Sequence, residues 1–406
     1  MPASIGAVFF SKAVALPFMR WRMLRHGHFR SPIHYEEVTI DVAQDFGSST
    51  KSSSSSDDAK KEKKNEQVRG VWMIADPANP PDICVYYLHG GGFSMGSCYF
   101  YLEFLLAWLH LLRTHSKQVF SNPAVLALDY TLVPTATYPR QLWEVISGYR
   151  WLLNVARRTP NEPLENVAER ICISGDSAGS TLSLSLLLKL ATSASTSTNT
   201  TPSSSTIPPP PAHATLISPW PTLVSPAHRK TASDYLNTDS LHLYARQYIG
   251  DVDANGADIN PLLDINSLRT KKERSYLHDM IASPGTCVDK AVWRRAWPRR
   301  GWHWVFGKEE TLGDDARGLI ELLKGVEGKG EGMREKGGLV VMEEDKQVHA
   351  WPVVQLFLGE GEEDRLGGLR RIVDVMVDAV GDVGSGGGAK GNGDGVGGVN
   401  GARKRR

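Results

Sequence analysis

The amino-acid sequence predicts an α/β fold in which a mostly parallel central sheet is covered by helices on both faces. Short, continuous apolar runs recur along the chain, at Ile83–Leu88, Ala124–Leu128, Ile171–Ser174, Ala214–Ile217, Trp302–Phe306 and Leu339–Met342. Helix-like stretches such as Leu142–Val155 and Ser180–Leu190 lie between some of these runs. Apolar strands that alternate with helices are typical of a parallel sheet buried on both faces. In such sheets the active site lies at the carboxyl ends of the strands.

Composition favours a globular protein that acts on small molecules. The chain has 406 residues, of which 41% are hydrophobic and 22% are charged, with a formal net charge of +1. This nearly balanced charge gives no reason to expect nucleic acid as a partner. The four cysteines show no metal-binding or disulfide spacing, and Cys84 and Cys172 lie inside apolar runs, where a reduced thiol behaves as a small hydrophobic side chain.

We predict one main domain, at residues 69–380, flanked and interrupted by segments unsuited to a packed core. A Ser- and Lys-rich linker at 47–68 separates it from the N-terminal segment 1–46, which we expect to form a cap or a membrane-proximal helix. A Ser/Thr- and Pro-rich insertion near 192–211 is expected to be an extended surface loop. The tail at 381–406 is Gly-rich with a basic end. Low hydrophobicity leaves such segments too little apolar surface to bury, so we expect them to be disordered.

The N-terminal segment is apolar at residues 3–19, but Lys12 and Pro17 interrupt it. It is too short to span a membrane, and no basic region precedes it as in a signal peptide. We therefore expect an intracellular protein, either cytoplasmic or on an internal membrane surface. The arginines that follow, Arg20, Arg22, Arg25 and Arg30, leave two interpretations open: peripheral contact with an anionic membrane surface, or a helix that packs over the main domain.

The clearest chemical motif follows the apolar run at residues 171–174. Gly175-Asp176-Ser177-Ala178-Gly179 leads into a helix-like stretch, which places a G-x-S-x-G pattern between a strand and a helix. The sharp turn leaves no room for side chains at the two glycines, and it lifts the Ser177 hydroxyl above the sheet at the positive end of the helix. This context predicts Ser177 as a nucleophile.

A glycine run follows another predicted strand, in His89-Gly90-Gly91-Gly92-Phe93. Consecutive glycines let backbone N–H groups approach and stabilise a developing oxyanion. We assign Gly90 and Gly91 as oxyanion donors, with the N–H of Ala178 as the third. A phosphate-binding loop is disfavoured because no G-K-[ST] sequence follows.

A nucleophilic serine needs a base and an orienting carboxylate, which follow it in chain order in this arrangement. Six histidines follow Ser177, and only His349 comes after the last apolar run. His213 and His303 precede or lie within strands, where a structural role is more common. The pattern therefore predicts His349 as the base.

The residues alone leave the acid open. The run at 302–306 leads into a loop with four candidates, Glu309, Glu310, Asp314 and Asp315. Asp314 also has a structural interpretation as the N-cap of a following helix, because an aspartate there accepts hydrogen bonds from unpaired N–H groups.

Together the two glycine motifs resemble the hormone-sensitive-lipase-like branch of the α/β-hydrolases, near the steryl-acetate deacetylases and related fungal esterases. Further matching motifs, spanning about residues 70–375, are Asp129-Tyr130 with Pro134, Ser218-Pro219-Trp220 and His349-Ala350-Trp351-Pro352. The resemblance implies the α/β-hydrolase fold. It favours Glu310 as the acid, since Glu310 replaces the first Asp of the family's D-P-L-x-D pattern. It also implies a helical cap, formed near Ile5–Phe29 and around Tyr235–Ile249.

The predicted function is a serine esterase, a carboxylesterase or deacetylase, that cleaves a small-molecule ester through an acyl-enzyme on Ser177. No metal or organic cofactor is required by this chemistry. Two alternatives stay open. The same residues could cleave amides, as in formamidases that share the His-Gly-Gly-Gly loop. A non-catalytic ligand receptor, similar to the gibberellin receptors, is less favoured because those receptors lose the histidine found here at position 349.

Overall fold

The computed structural model describes residues 12–26, 33–43, 66–115, 120–195, 207–252, 276–326 and 337–384. In chain order its strands are β1 (His34–Asp41), β2 (Gln67–Ile74), β3 (Ile83–Leu88), β4 (Pro123–Asp129), β5 (Ile171–Asp176), β6 (His213–Ile217), β7 (Trp302–Gly307) and β8 (Leu339–Glu344). Its α-helices are α1 (Lys12–His26), α2 (Leu102–Thr114), α3 (Arg140–Val155), α4 (Leu164–Ala168), α5 (Ala178–Ser195), α6 (Thr238–Tyr248), α7 (Lys290–Ala296), α8 (Gly313–Lys324), α9 (Trp351–Leu358) and α10 (Glu362–Gly384).

The eight strands form one sheet in the order β1-β2-β4-β3-β5-β6-β7-β8. Strand β2 is antiparallel to both of its neighbours, and every other pair in the sheet is parallel. In the centre, Leu88 at the end of β3 lies opposite Leu128 of β4 and Gly175 of β5. The carboxyl ends of these strands therefore meet along one edge, as the predicted mostly parallel sheet requires.

Helices cover both faces of the sheet, as predicted. Side chains of α3, α5, α7 and α8 pack on one face, and those of α2, α9 and α10 pack on the other. Strand β3 is buried along its whole length, with Tyr86 in the first layer and Val85 in the second. Alternate side chains of a strand point to opposite faces, so a strand covered on both sides needs apolar residues at every position.

Strand β1 was not predicted, and it lies within the segment 1–46 that we assigned to a cap or membrane-proximal helix. Its sequence, HYEEVTID, is charged and mostly exposed, and it pairs antiparallel with β2 at the edge of the sheet. A half-solvated edge strand has no continuous apolar run for sequence analysis to detect. Strand β2 begins at Gln67, so the predicted linker at 47–68 ends earlier than expected, and its residues 47–65 lie outside the described ranges.

The boundaries of the predicted insertion and tail also differ from the structure. Helix α5 continues to Ser195, and Pro209 is buried and accepts a hydrogen bond from the Tyr149 hydroxyl at 2.8 Å. The prediction of a surface loop is therefore wrong at both ends of 192–211, while residues 196–206 lie outside the described ranges. Helix α10 ends at Gly384, inside the predicted tail, whose residues 385–406 are likewise not described.

All four cysteines are buried and free. In the described ranges, no helix combines the length and the apolar character needed to cross a membrane. The same ranges contain no cluster of three or more His, Cys, Asp or Glu residues that could hold a metal ion.

Candidate active site

Ser177 occupies a strained turn between β5 and α5. Its φ angle is +51°, in the left-handed region that non-glycine residues seldom adopt. The turn also brings the chain against β3, because a Cβ atom on Gly179 would lie 1.9 Å from the carbonyl oxygen of Leu88. The turn therefore leaves no room for a side chain at this glycine, as the sequence predicted. Ser177 is 7% exposed, so its surroundings are largely shielded from bulk water.

The structure brings His349 and Glu310 together. Nδ1 of His349 lies 3.1 Å from Oε2 of Glu310, and each residue is 3% exposed. Burial acts to lower the pKa of His349, but the hydrogen bond to Glu310 and the charge of that residue, followed by the charges of Asp234 and Asp176, raise the pKa overall.

The other three acid candidates have different partners. Asp314 pairs with Arg317 at 2.5 Å, Asp315 lies 2.8 Å from Nε2 of His228, and Glu309 accepts a hydrogen bond from the Ser233 hydroxyl. The N-cap interpretation of Asp314 is wrong, because α8 begins one residue earlier, at Gly313, and is preceded by Leu312 without a side-chain cap. Asp314 lies instead in the first turn of the helix, where its charge is favourable to the helix dipole.

The second imidazole nitrogen of His349 lacks a partner. Nε2 is buried and makes no hydrogen bond with a described residue. His349 and Ser177 line the same cavity. A base that takes a proton from a serine hydroxyl needs one nitrogen held by a carboxylate and the other available, and hydrogen bonds between catalytic groups often tighten only when substrate binds.

Ser218 supports this pair, although sequence analysis treated it only as part of a matching motif. Its hydroxyl donates to Oε1 of Glu310 at 2.6 Å and accepts from the N–H of Ala350 at 2.8 Å. Glu310 also accepts from the N–H of Gly307 at 2.5 Å. Ser218 directly follows β6 and has a φ angle of +42°. Its position at the carboxyl end of a predicted strand was the signal that could have identified it.

The structure of the glycine loop contradicts the prediction that Gly90 is an oxyanion donor. The single N–H of Gly90 donates to Oδ1 of Asp176 at 2.9 Å, so it is not available as an oxyanion donor. No described residue accepts a hydrogen bond from the N–H of Gly91, Gly92 or Ala178. Gly91 and Gly92 have φ angles of +110° and +59°, which glycine adopts at little cost. The N–H of Gly92 is therefore available to an oxyanion, whereas that of Gly90 is not.

Asp176, the second residue of the serine motif, holds this loop. Besides the bond from Gly90, its carboxylate accepts hydrogen bonds from the hydroxyls of Tyr87 and Tyr101, both at 2.8 Å. Burial raises the pKa of Asp176, while these hydrogen bonds act to lower it. A buried carboxylate with several donors is a rigid anchor. Sequence analysis did not indicate this role, because Asp176 occupies a position of the G-x-S-x-G motif at which any residue is allowed.

A cavity of about 570 Å³ opens above Ser177. The loop 90–96 and the serine turn form its base, and two helices form its walls. One wall comes from residues 235–244, in and before α6, as the expected cap implies. The other comes from α9, through Val353, Val354, Phe357 and Leu358. Because most of the lining side chains are apolar, the cavity suits a substrate with apolar groups.

The N-terminal helix supports the cavity from outside. No described residue of α1 lines it. Arg22 donates to the buried Glu103 at 2.5 Å and to the carbonyl of Leu356 at 3.1 Å, and its guanidinium lies 4.7 Å from the ring centre of Phe357. The segment near Ile5–Phe29 was expected to form a cap, and its described residues support α9 instead. Residues 5–11 and 27–29 lie outside the described ranges.

Known proteins share this architecture. A family model described as an alpha/beta hydrolase fold matches residues 85–274. The structure of an esterase from the bacterial hormone-sensitive lipase family has a TM-score of 0.52 at 22% identity, over 77% of this chain and 82% of that one. Carboxyl esterase 2 from the fungus Tuber melanosporum gives the same score and coverage at 18% identity. The chain has the α/β-hydrolase fold.

Curated relatives match this chain over a shorter region. Hormone-sensitive lipase of Bos taurus is 34% identical over 98 residues, which cover 24% of this chain and 11% of that protein. Arylacetamide deacetylase of Mus musculus is 32% identical over 102 residues, covering 24% and 22% respectively. The predicted resemblance to the hormone-sensitive-lipase-like branch is confirmed, and the chain spans less than a quarter of the length of either relative.

Proposed function

We propose that this α/β-hydrolase is a serine esterase, a carboxylesterase or deacetylase, that forms an acyl-enzyme on Ser177. The observation that carries the proposal is the buried pair of His349 and Glu310, joined at 3.1 Å and sharing a cavity with Ser177. A carboxylate that holds one nitrogen of an imidazole leaves the other as the base for a hydroxyl.

In the first step the Ser177 hydroxyl attacks the ester carbonyl while Nε2 of His349 takes its proton. Glu310 fixes the imidazole in the required tautomer and stabilises the imidazolium that forms. The imidazolium then donates the proton to the departing alcohol, which leaves the acyl group on Ser177. In the second step His349 activates a water molecule, which attacks the acyl-enzyme and releases the acid.

The N–H groups of Gly91, Gly92 and Ala178 are the proposed oxyanion donors. Each is free of other described acceptors, and their backbone is held in place through Asp176 and the turn at Ser177. Because the donors are positioned before substrate binds, they stabilise the developing charge without reorganisation, and one such donor typically contributes about 3–4 kcal/mol.

The cavity supports an ester with apolar acyl or alcohol groups as the substrate. The names of the relatives point the same way, since they include a hormone-sensitive lipase and a neutral cholesterol ester hydrolase. An amide is the second candidate, because one relative is an arylacetamide deacetylase and the same residues can attack an amide carbonyl.

Peripheral membrane contact through the N-terminus and an intracellular location stay predictions. Arg22, one of the arginines on which the membrane interpretation rested, is buried against Glu103.

Labelling with a fluorophosphonate probe tests the proposal. The wild-type protein should react at Ser177, and Ser177→Ala should abolish both labelling and ester turnover while leaving the thermal unfolding temperature nearly unchanged. Ser183→Ala is the matched control, because its hydroxyl donates to the carbonyl of Gly179 within α5 and it should keep both activities. A panel of esters and amides with matched acyl groups then ranks the two substrate classes. A folded wild-type protein that resists the probe would contradict the proposal and favour the receptor alternative.

A further inference from the structure

Two consecutive residues, Asp234 and Tyr235, join the wall of the cavity to the loops that carry the acid and the histidine. They precede α6, and Tyr235 lines the cavity. Asp234 is buried, with 9% of its surface exposed. Its Oδ2 accepts the N–H of Thr311 at 2.8 Å, and its Oδ1 accepts the N–H of His349 at 3.4 Å. One carboxylate therefore connects the residue after Glu310 with the histidine itself.

Tyr235 binds the other backbone polar group of His349. Its hydroxyl donates to the carbonyl oxygen of His349 at 3.0 Å. Its ring meets the imidazole edge-on, with ring centres 6.0 Å apart and planes at 74°. Both backbone polar groups of His349 are thus bound by the segment that begins the cavity wall.

The histidine needs such support because its own loop is irregular. Lys346 and Ala350 have φ angles of +58° and +53°, and His349 lies between β8 and α9 rather than within either element. Non-glycine residues in the left-handed backbone region persist only where the surrounding structure enforces that conformation. Contacts from outside the loop must therefore fix the direction of the imidazole.

Charge adds a second effect. Burial of the imidazole acts to lower the pKa of His349, and the carboxylates of Glu310, Asp234 and Asp176, which reach it from three separate elements, act to raise it. A negative charge near an imidazole favours its protonated form, which is the form that arises when the base takes the serine proton. Asp234 therefore acts on the histidine through both geometry and charge.

We propose that Asp234 and Tyr235 are positioning residues, which orient His349 and couple it to the cavity wall formed by α6. This inference rests on the proposed esterase function. Neither residue takes part in bond making. The same segment therefore contacts both the cavity and His349.

Asp234→Asn in the full-length protein is the decisive variant. The carboxylate accepts the backbone N–H groups of Thr311, His349 and Leu236. An amide presents an N–H group in place of one acceptor oxygen, so at least one of these hydrogen bonds is lost, and the negative charge is removed. We expect kcat to fall about tenfold, since small misplacements of a catalytic group cost up to roughly 10²-fold. Without that charge the pKa of His349 falls, so the acidic limb of the kcat/KM profile should move to lower pH. Asp279→Asn is the matched control, because Asp279 accepts the N–H of Ile281 at 2.7 Å outside the cavity lining, and it should leave both values unchanged.

A measurement without turnover separates this inference from the proposed function. The full-length chain is labelled with ¹³C at Cε1 of histidine, and the signal of His349 is assigned with His349→Gln. Asp234→Asn should lower the pH midpoint of that signal, whether or not any ester is cleaved. An unchanged midpoint in the folded variant overturns the inference, whereas absence of fluorophosphonate labelling in the wild type overturns only the esterase.

Tyr235→Phe provides the second arm, and it decides the matter if Asp234→Asn does not fold. It keeps the ring contact and removes the hydroxyl that donates to His349. We expect kcat to fall several-fold with little change in KM for a short-chain ester and no shift of the acidic limb, since no charge is lost. If kcat is unchanged in Tyr235→Phe, the hydroxyl does not position the histidine and the coupling is refuted.

Discussion

The turn that carries Ser177 and the loop that carries Glu310 both follow a buried parallel strand, but they are held in different ways. The serine turn has a short sequence signature, since a side chain at Gly175 or Gly179 would clash with the carbonyl oxygen of Leu88 in β3. The acid loop is specified by distant residues, because Glu310 is bound by Ser218 and His349. Short motifs can therefore reveal a nucleophile, whereas an acid becomes certain only when the fold brings its partners together.

This difference explains why four acid candidates were left by the residues alone. Glu309, Glu310, Asp314 and Asp315 lie on one short connection, and each has a polar partner in the structure. Glu310 differs from the others in its burial and in its contact with His349. Neither property can be read from loop position.

The largest expected effect tests the acid. Glu310→Gln removes the negative charge that stabilises the imidazolium and presents an amide that no longer selects the productive tautomer. By analogy with serine triads, kcat should fall by about 10⁴-fold. Asp314→Asn should change turnover little, because Asp314 faces Arg317 and Arg229 rather than His349. Steady-state kinetics on a soluble ester measures the turnover of both variants. If Asp314→Asn is inactive while Glu310→Gln stays active, Asp314 and not Glu310 is the acid.

The next prediction tests the turn that carries Ser177. Gly179→Ala would place a methyl group 1.9 Å from the carbonyl oxygen of Leu88, so the backbone of β3 or α5 must move. We expect at least a 100-fold loss of turnover and of labelling rate, together with a lower unfolding temperature. Gly318→Ala in α8 is the control, because its Cβ would meet nothing within 4 Å and alanine is favoured over glycine in a helix by roughly 1 kcal/mol. A Gly179→Ala variant that labels at the wild-type rate would show that the turn tolerates a side chain.

The same contrast explains how much of the molecule could be predicted. The inner parallel strands were visible because burial on both faces demands continuous apolar runs, as in β3. The edge strand β1 was missed because exposure removes that demand. Within the glycine loop, the sequence shows that backbone donors are available but not which of them is occupied. The bond from Gly90 to Asp176 joins residues 86 positions apart, and it excluded Gly90 in favour of Gly92.

The role of Ser218 was signalled only by its position at the end of a predicted strand, and its substitution gives the smallest of the three effects. Ser218→Ala removes a hydroxyl that donates to Glu310 and accepts from the N–H of Ala350. Glu310 keeps its bonds to Gly307 and His349, so the acid stays in place but with more freedom. We expect kcat to fall roughly tenfold with KM nearly unchanged, since misplacement of a catalytic group costs rate more than substrate affinity.

Ser225→Ala is a close control for that prediction. Its hydroxyl also donates to a carboxylate, that of Asp315 at 2.8 Å, and accepts a backbone N–H, that of Ala227 at 3.1 Å. Both variants lose the same number and kind of hydrogen bonds and leave a backbone N–H unpaired, which is buried at Ala350 and partly buried at Ala227. A buried unpaired donor typically costs about 1–3 kcal/mol of stability. Both unfolding temperatures should therefore fall, with the larger fall for Ser218→Ala, and only Ser218→Ala should lose turnover. If the two variants show the same kcat, the hydroxyl of Ser218 serves the stability of the loop, and Gly307 together with His349 suffices to orient Glu310.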